Sequence, residues 1–180
     1  KNFEARKKFL ARNYNIIWTE CGSIPELKRP LDKLERIETE IKLNAEDMFK
    51  IHDQIKDQTT LFKETGSYHY AFLFSPDMDL VESACDIGRH NAVDKVIGKK
   101  MLKNIDLENL FQDKLLYTTG RISSDIILKC LRAGLPVVIS RGAPLKTAVE
   151  LARKYNLVLV GFLRYGAKRF NLYSNQYIFD

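Results

Sequence analysis

The sequence predicts an α/β domain, a mixed sheet covered by helices, and two features carry that expectation. From Tyr68 onward, apolar runs of strand length alternate with segments whose apolar residues repeat at helical spacing. The junctions between them are rich in glycine, serine, asparagine and aspartate, residues that turn a chain or cap a helix. At 180 residues the chain has the length of one domain and can bury a substantial core.

Residues 1–13 form a basic, amphipathic lead-in, and "YNIIWTE" (14–20) is a predicted strand ending at the Cys21 loop. The stretch 25–44, "PELKRPLDKLERIETEIKLN", is too charge-dense for a core element and reads as a loop or exposed helix. Residues 1–43 are therefore a lead-in with a charged linker, and 44–180 the α/β domain. "NAEDMFKIHDQIKDQ" is a helix, with Asn44 as N-cap, acidic residues in its first turn and Met48, Ile51 and Ile55 on one face. "YHYAFLF" and "DLVESAC" are strands joined by the turn "SPDMD". "RHNAVDKVIGKKMLKN" is a helix burying Ala92, Val93, Val96, Ile97 and Met101. "KLLYTTG" is a strand, and "SSDIILKCLRAG" a helix capped by Ser123 and stopped at Gly134. "LPVVIS" is a fully apolar strand, and "APLKTAVELARKY" a helix with Pro144 in its first turn. "NLVLVGF" and "KRFNLYS" close the chain as strands.

Composition narrows the function classes. No apolar run approaches the ~20 residues of a membrane helix, and the basic start lacks the apolar region of a signal peptide. Cysteines at 21, 85 and 130 have no metal-like spacing and are odd in number, which points to a reducing, cytoplasmic setting. The first residue is not methionine, which leaves a fragment of a longer protein open. A net charge of +6 and a pI near 9.2 suggest an anionic partner. There is neither an aromatic RNA-reading strand nor zinc-finger spacing, so a phosphate-rich small molecule is favoured over nucleic acid.

Three strand-to-helix junctions repeat one scheme of glycine, hydroxyl or amide groups and an arginine. "CDIGRHNAVDK" crowds Arg89, His90, Asn91, Asp94 and Lys95 behind Gly88, with His90 and Asp94 on one helical face. "TTGRISSD" offers Thr118, Thr119, Gly120, Arg121 and Ser123, and "SRGAPLKTA" offers Ser140, Arg141 and Gly142. A helix start with free N–H groups beside a guanidinium suits phosphate or carboxylate. The tail adds Arg164, Lys168 and Arg169 around Gly166, with Tyr165 and Phe170 available for stacking on a flat heterocycle. His69 at a strand start stays open between a structural and a catalytic role, and His52, among charges, reads as surface. Cys130 lies on an apolar stripe as a core thiol, while Cys85 stays open. Cys21, beside Gly22 and Ser23 in a polar loop, reads as an accessible thiol suited to group transfer through sulfur.

These segments resemble a known family. "CDIGRHNAVDKVIG", "TTGRISSDIILKCLRAGLPVVISRGAPLKTAVELA" and "LVGF" followed by "RFNLY" resemble, in that order, the formate dehydrogenase accessory sulfurtransferases, the FdhD family. "TGSYHYA" is similar to that family's TGGxHxA segment. The resemblance implies a cytidine deaminase-like domain, usually a homodimer. It also implies a sulfur carrier that takes persulfide sulfur from a cysteine desulfurase and delivers it to bis-molybdopterin guanine dinucleotide. The sulfurated cofactor then goes to formate dehydrogenase. By resemblance Phe162, Leu163, Arg164, Tyr165, Gly166, Lys168 and Arg169 fall on the family's cofactor-binding stretch. Cys21 falls on the first cysteine of its C-G-x-C loop, where Ile24 replaces the second, and Cys85 stands where the family carries an acidic residue. A cofactor-binding chaperone without sulfur transfer is the alternative. A zinc deaminase is disfavoured, because its H-x-E and P-C-x-x-C signatures are missing and no protein-ligated zinc is expected.

Overall fold

The computed structural model describes residues 34–104 and 109–174; the predicted strand at 14–20, Cys21 and Ile24 lie outside the described residues. Residues from Glu35 onward belong to one compact unit. Residues 35–43 run without helix, and their one deeply buried side chain is Leu43, 2% exposed. The Ile37 backbone ties them down: its N–H donates to the Tyr155 carbonyl at 2.8 Å, and its carbonyl accepts from Asn156 Nδ2 at 2.8 Å.

Helix α1 (Ala45–Ile55) starts as expected, with Asn44 Oδ1 accepting from the Glu46 amide at 2.8 Å and Glu46 and Asp47 in the first turn. Its apolar stripe of Met48, Ile51 and Ile55 is buried. A short helix, α2 (Thr60–Thr65), follows with no buried side chain, which is why no apolar period announced it. It ends at Gly66, whose φ of 68° is the left-handed conformation glycine adopts without strain.

The sheet then assembles from β1 (His69–Phe74), β2 (Leu80–Asp86), β3 (Leu115–Thr118), β4 (Val137–Ser140), β5 (Val158–Arg164) and β6 (Arg169–Ser174). Its order is β2-β1-β3-β4-β5-β6. β1 runs antiparallel to β2 and β3, β3 to β5 are parallel, and β6 returns antiparallel. Helices α3 (Arg89–Leu102), α4 (Ser124–Ala133) and α5 (Lys146–Lys154) connect the strands. Alternation along each strand divides the core in two. Tyr70, Phe72, Phe74, Tyr117, Ile139 and Val160 pack with α1 on one face, and Ala71, Leu73, Leu116, Val138 and Leu159 are buried on the other. α3 buries Ala92, Val93, Val96 and Ile97, while Met101 is only half-buried.

Two helix starts differ from expectation because their residues hold loops. α5 begins at Lys146 instead of within the first residues after Gly142. The chain before it is spent on a parallel bridge: Ile122 N–H donates to the Ala143 carbonyl at 3.0 Å, and Leu145 N–H donates back to Ile122 at 2.8 Å. Ser123 occupies the N-cap of α4 without a capping bond from its side chain; its Oγ lies 2.8 Å from His90 Nε2.

The outer edge of β2 is closed by the chain's own side chains. Lys95 and Lys99 on α3 and Lys103 at its C-cap lie four apart, and four helical residues rise about 6 Å. Two strand residues rise about 6.6 Å, so the two elements stay in step. Lys99 Nζ donates to the Ser83 carbonyl at 2.8 Å, Lys95 Nζ to that of Cys85 at 3.3 Å, and Lys103 pairs with Glu82. Glu82 Oε1 in turn accepts from the Ser83 amide at 3.1 Å. An edge so occupied cannot template another strand. The double change Lys95→Ala, Lys99→Ala is expected to raise self-association in analytical ultracentrifugation, and adding Ser83→Pro, which removes the outward N–H, to reverse it.

Candidate functional site

The strand directions bring five chain segments to one end of the sheet. His69 pairs with Asp86, Ala71 with Thr118, and Thr118 with Ser140, so the start of β1 and the carboxyl ends of β2, β3 and β4 share an edge with the far end of β5. Open α/β sheets take their ligands at the carboxyl ends of their parallel strands. The three glycine–arginine junctions and the tail, separate in sequence, therefore line a single edge.

Backbone contact joins the two central junctions. A Cβ on Gly142 would lie 2.8 Å from the Gly120 carbonyl oxygen and 2.9 Å from the Arg121 nitrogen. Ser140, fully buried, donates from Oγ to the Gly120 carbonyl at 2.7 Å and accepts from the Gly142 amide at 2.8 Å. Its hydroxyl thus holds the loops together and lines neither cavity described below. The Arg141 amide donates to the Thr118 carbonyl at 3.2 Å, which leaves the exposed Arg141 side chain at the rim.

On the β1 side, Arg89, His69 and Arg121 surround Gly120. A Cβ there would meet the Arg89 Cβ at 2.8 Å and His69 Nδ1 at 3.4 Å. Burial, then the charges of Arg89 and Arg121, hold the His69 imidazole below its usual range. His90 is lowered by burial first and by Arg89 and Lys129 next. Arg89 Nε is buried and unpartnered among the described residues. Asp94 and Lys95 are engaged elsewhere, with Lys129 and Asp86 respectively. Asp86 also accepts from the Gly88 amide at 2.9 Å and from Asn91 Nδ2 at 3.1 Å, so Gly88 and Asn91 shape the turn into α3. The bond from Lys95 is the largest of the causes that bring the Asp86 carboxyl down to about 2.

On the β5 side, a cavity of about 420 Å³ is lined by His52, Arg141, Leu163 and the hairpin residues Arg164, Tyr165, Gly166, Ala167 and Arg169. A second, of about 230 Å³, adjoins it through Arg164 and Arg169 and adds Phe162 and Asn171. Arg164 Nη1 donates to the Arg141 carbonyl at 2.5 Å, and its guanidinium lies 5.7 Å from the centre of the Phe162 ring. Phe162 sits at φ 54° where the β5–β6 register slips, a left-handed conformation that costs a non-glycine residue energy. Among the described residues, Arg141, Arg164 and Arg169 have no carboxylate partner, and each is free to meet an anion. Lys168 instead reaches Glu46 at 3.6 Å.

The sequence and the fold of the chain are similar to those of known proteins. The sequence model of the FdhD/NarQ family matches residues 2–179. The chain belongs to the FdhD/NarQ family. It is 35% identical over 132 residues to the sulfur carrier protein FdhD of Halalkalibacterium halodurans, covering 73% of this chain and 46% of that one. To the protein FdhD of Methanocaldococcus jannaschii it is 44% identical over 111 residues, covering 62% and 46%. To the sulfur carrier protein FdhD of Bacillus pumilus it is 36% identical over 166 residues, covering 89% and 59%. A crystal structure from Desulfotalea psychrophila, assigned as a formate dehydrogenase accessory protein, superposes with a TM-score of 0.71 at 28% identity. That match covers 83% of this chain and 62% of the other. The chain spans about half the length of the curated relatives it matches.

The family's sequence segments explain most of the edge but not its outer wall. His52, read from sequence as surface, is exposed yet lines the larger cavity, its ring centred 4.4 Å from that of Tyr165. Phe170, expected to be available for stacking, packs against Phe49 at 6.1 Å. The signal for both was the spacing 46, 49, 52 on α1, one face beside the buried stripe. Cys130 is fully buried, and burial pushes its thiol up; Cys85 is half-buried. No helix among the described residues is long and apolar enough to cross a membrane.

Two outcomes follow. Gly142→Ala should destabilise by ~1–3 kcal/mol in urea unfolding, as overpacking against fixed backbone does, whereas Gly166→Ala, with nothing within 4 Å, should stay within ~0.5 kcal/mol. The depressed Asp86 carboxyl stabilises the fold above its unfolded value of 3.8, and that contribution is lost as pH falls through about 2. The stability gap between the parent chain and Asp86→Asn should therefore be full at pH 5 and narrow between about pH 4 and 2.

Proposed function

We propose that this chain is part of a sulfur carrier that serves formate dehydrogenase. In this reading Cys21 takes persulfide sulfur from a cysteine desulfurase and passes it to bis-molybdopterin guanine dinucleotide held at the sheet edge. The observation that carries it is the pair of adjoining cavities walled by Arg141, Arg164 and Arg169, none with a carboxylate partner among the described residues. They are built on the stretch 162–169 that resembles the family's cofactor-binding segment. The names of the relatives support the carrier role. The sheet order, with β1 antiparallel to parallel neighbours, supports the cytidine deaminase-like reading. A cytoplasmic homodimer completes the proposal.

The chemistry balances simply for loading. The Cys21 thiolate attacks the outer sulfur of the donor's persulfide; the new S–S bond forms as the old one breaks, and the donor leaves as a thiolate. Passing that sulfur on as sulfide needs two electrons. With Ile24 in place of a second loop thiol, another thiol supplies them and ends as a disulfide with Cys21. Arg89, Arg121, Gly120, His90 and the amides ahead of α3 and α4 supply further contacts for phosphates at the β1 side of the edge. A second reading, a chaperone that holds the cofactor without transferring sulfur, is favoured by one observation, Ile24 itself.

Mass spectrometry after incubation with a cysteine desulfurase and cysteine separates the two. One added sulfur on Cys21, missing in Cys21→Ala, is the expected result. An unmodified Cys21 with retained guanine nucleotide binding would establish the chaperone instead. Arg169→Ala should weaken nucleotide binding about tenfold, as loss of one charge-assisted phosphate contact does, with persulfide loading unchanged.

A further inference from the structure

We propose that His52 is a specificity-determining residue of the larger cavity, meeting the planar ring of a ligand whose phosphates the arginines hold. This rests on the cofactor-binding reading above and assigns its ring end to α1, a helix outside the short sequence blocks quoted for the family resemblance.

α1 lies along the β5–β6 hairpin through one of its faces. Glu46 reaches Lys168, Phe49 packs on Phe170, and the His52 ring lies against Tyr165, tilted by 35°. These residues are three apart, so a single helical face makes all three contacts. Met48, Ile51 and Ile55 anchor the helix in the core, so the imidazole is delivered by a rigid element rather than by a loop. Of the residues lining the cavity, His52 alone comes from outside Arg141 and the 163–169 stretch.

The chemistry of the wall is divided. Arg141, Arg164 and Arg169 supply fixed positive charge, suited to phosphate. A ligand made of phosphate alone would need nothing more. The same cavity is lined by an aromatic pair, His52 and Tyr165, whose tyrosine hydroxyl is buried: burial raises the Tyr165 phenol, and the Tyr117 hydroxyl adjoins it. The tyrosine thus backs the imidazole, and the exposed His52 ring is what a planar group meets. At about 420 Å³, the cavity is in the range that takes small organic ligands.

Isothermal titration with guanosine diphosphate and with inorganic pyrophosphate tests this. His52→Ala should bind the nucleotide about tenfold more weakly, the usual worth of one base–aromatic contact, and pyrophosphate unchanged. His52→Phe, which keeps a flat ring, should restore most of the nucleotide affinity. Unchanged nucleotide binding by His52→Ala overturns the inference alone. So does an equal loss for both probes, which would mean that the histidine merely positions the arginines. If the parent chain binds pyrophosphate but no nucleotide, the cofactor reading falls and this inference with it.

Discussion

Two loop backbones, at Gly120 and Gly142, touch where any Cβ would collide, and the candidate site depends on that contact. A Cβ on Gly142 would stand within 2.9 Å of three backbone atoms of the neighbouring loop, and backbone cannot swing aside as a side chain can. Because β3 and β4 are adjacent and parallel, their exits run alongside each other and must either diverge or pack. Here they pack, and the buried Ser140 hydroxyl satisfies a carbonyl on one loop and an amide on the other. The consequence is positional. Arg121 and Arg141 leave the sheet from neighbouring, tied backbones, and Gly120 gives Arg89 and His69 room to close in from the β1 side.

The chain's positive charge is divided between two tasks. Lys95, Lys99, Lys103 and Lys129 are tied to carboxylates and strand carbonyls; they close the β2 edge and bind α3 to its surroundings. Exposed pairs of this kind contribute little each, but along β2 they occupy groups that would otherwise recruit another strand. Arg141, Arg164 and Arg169 at the carboxyl edge have no carboxylate partner among the described residues, so the protein leaves their charge unneutralised there. A net charge of +6 alone cannot separate these populations.

Most of the fold was legible because its elements carry their own signals. Met48, Ile51 and Ile55 repeat at helical spacing, "VVIS" is wholly apolar, and Gly134 stops α4 in a left-handed conformation at φ 77°. Where local rules failed, a residue was claimed by a distant partner. Ser123 has the identity and position of an N-cap, yet its hydroxyl faces His90 from a different helix. Pro144 suits a helix start, yet the chain around it pairs with Ile122. The exposed helix α2 had no apolar stripe to reveal it.

By itself, then, the sequence determined the alternation of strands and helices, the family, and the list of arginine-bearing junctions, because each is written in contiguous residues. The tertiary structure decided which of those arginines share a cavity. Arg141 joins Arg164 and Arg169 because β4 lies beside β5, while Arg89 and Arg121 stand at the β1 side of the same edge. It also decided that His52 belongs with them. The spacing 46, 49, 52 marks a helical face but not what that face meets; the imidazole becomes a wall only because α1 is packed across a hairpin more than a hundred residues further along the chain.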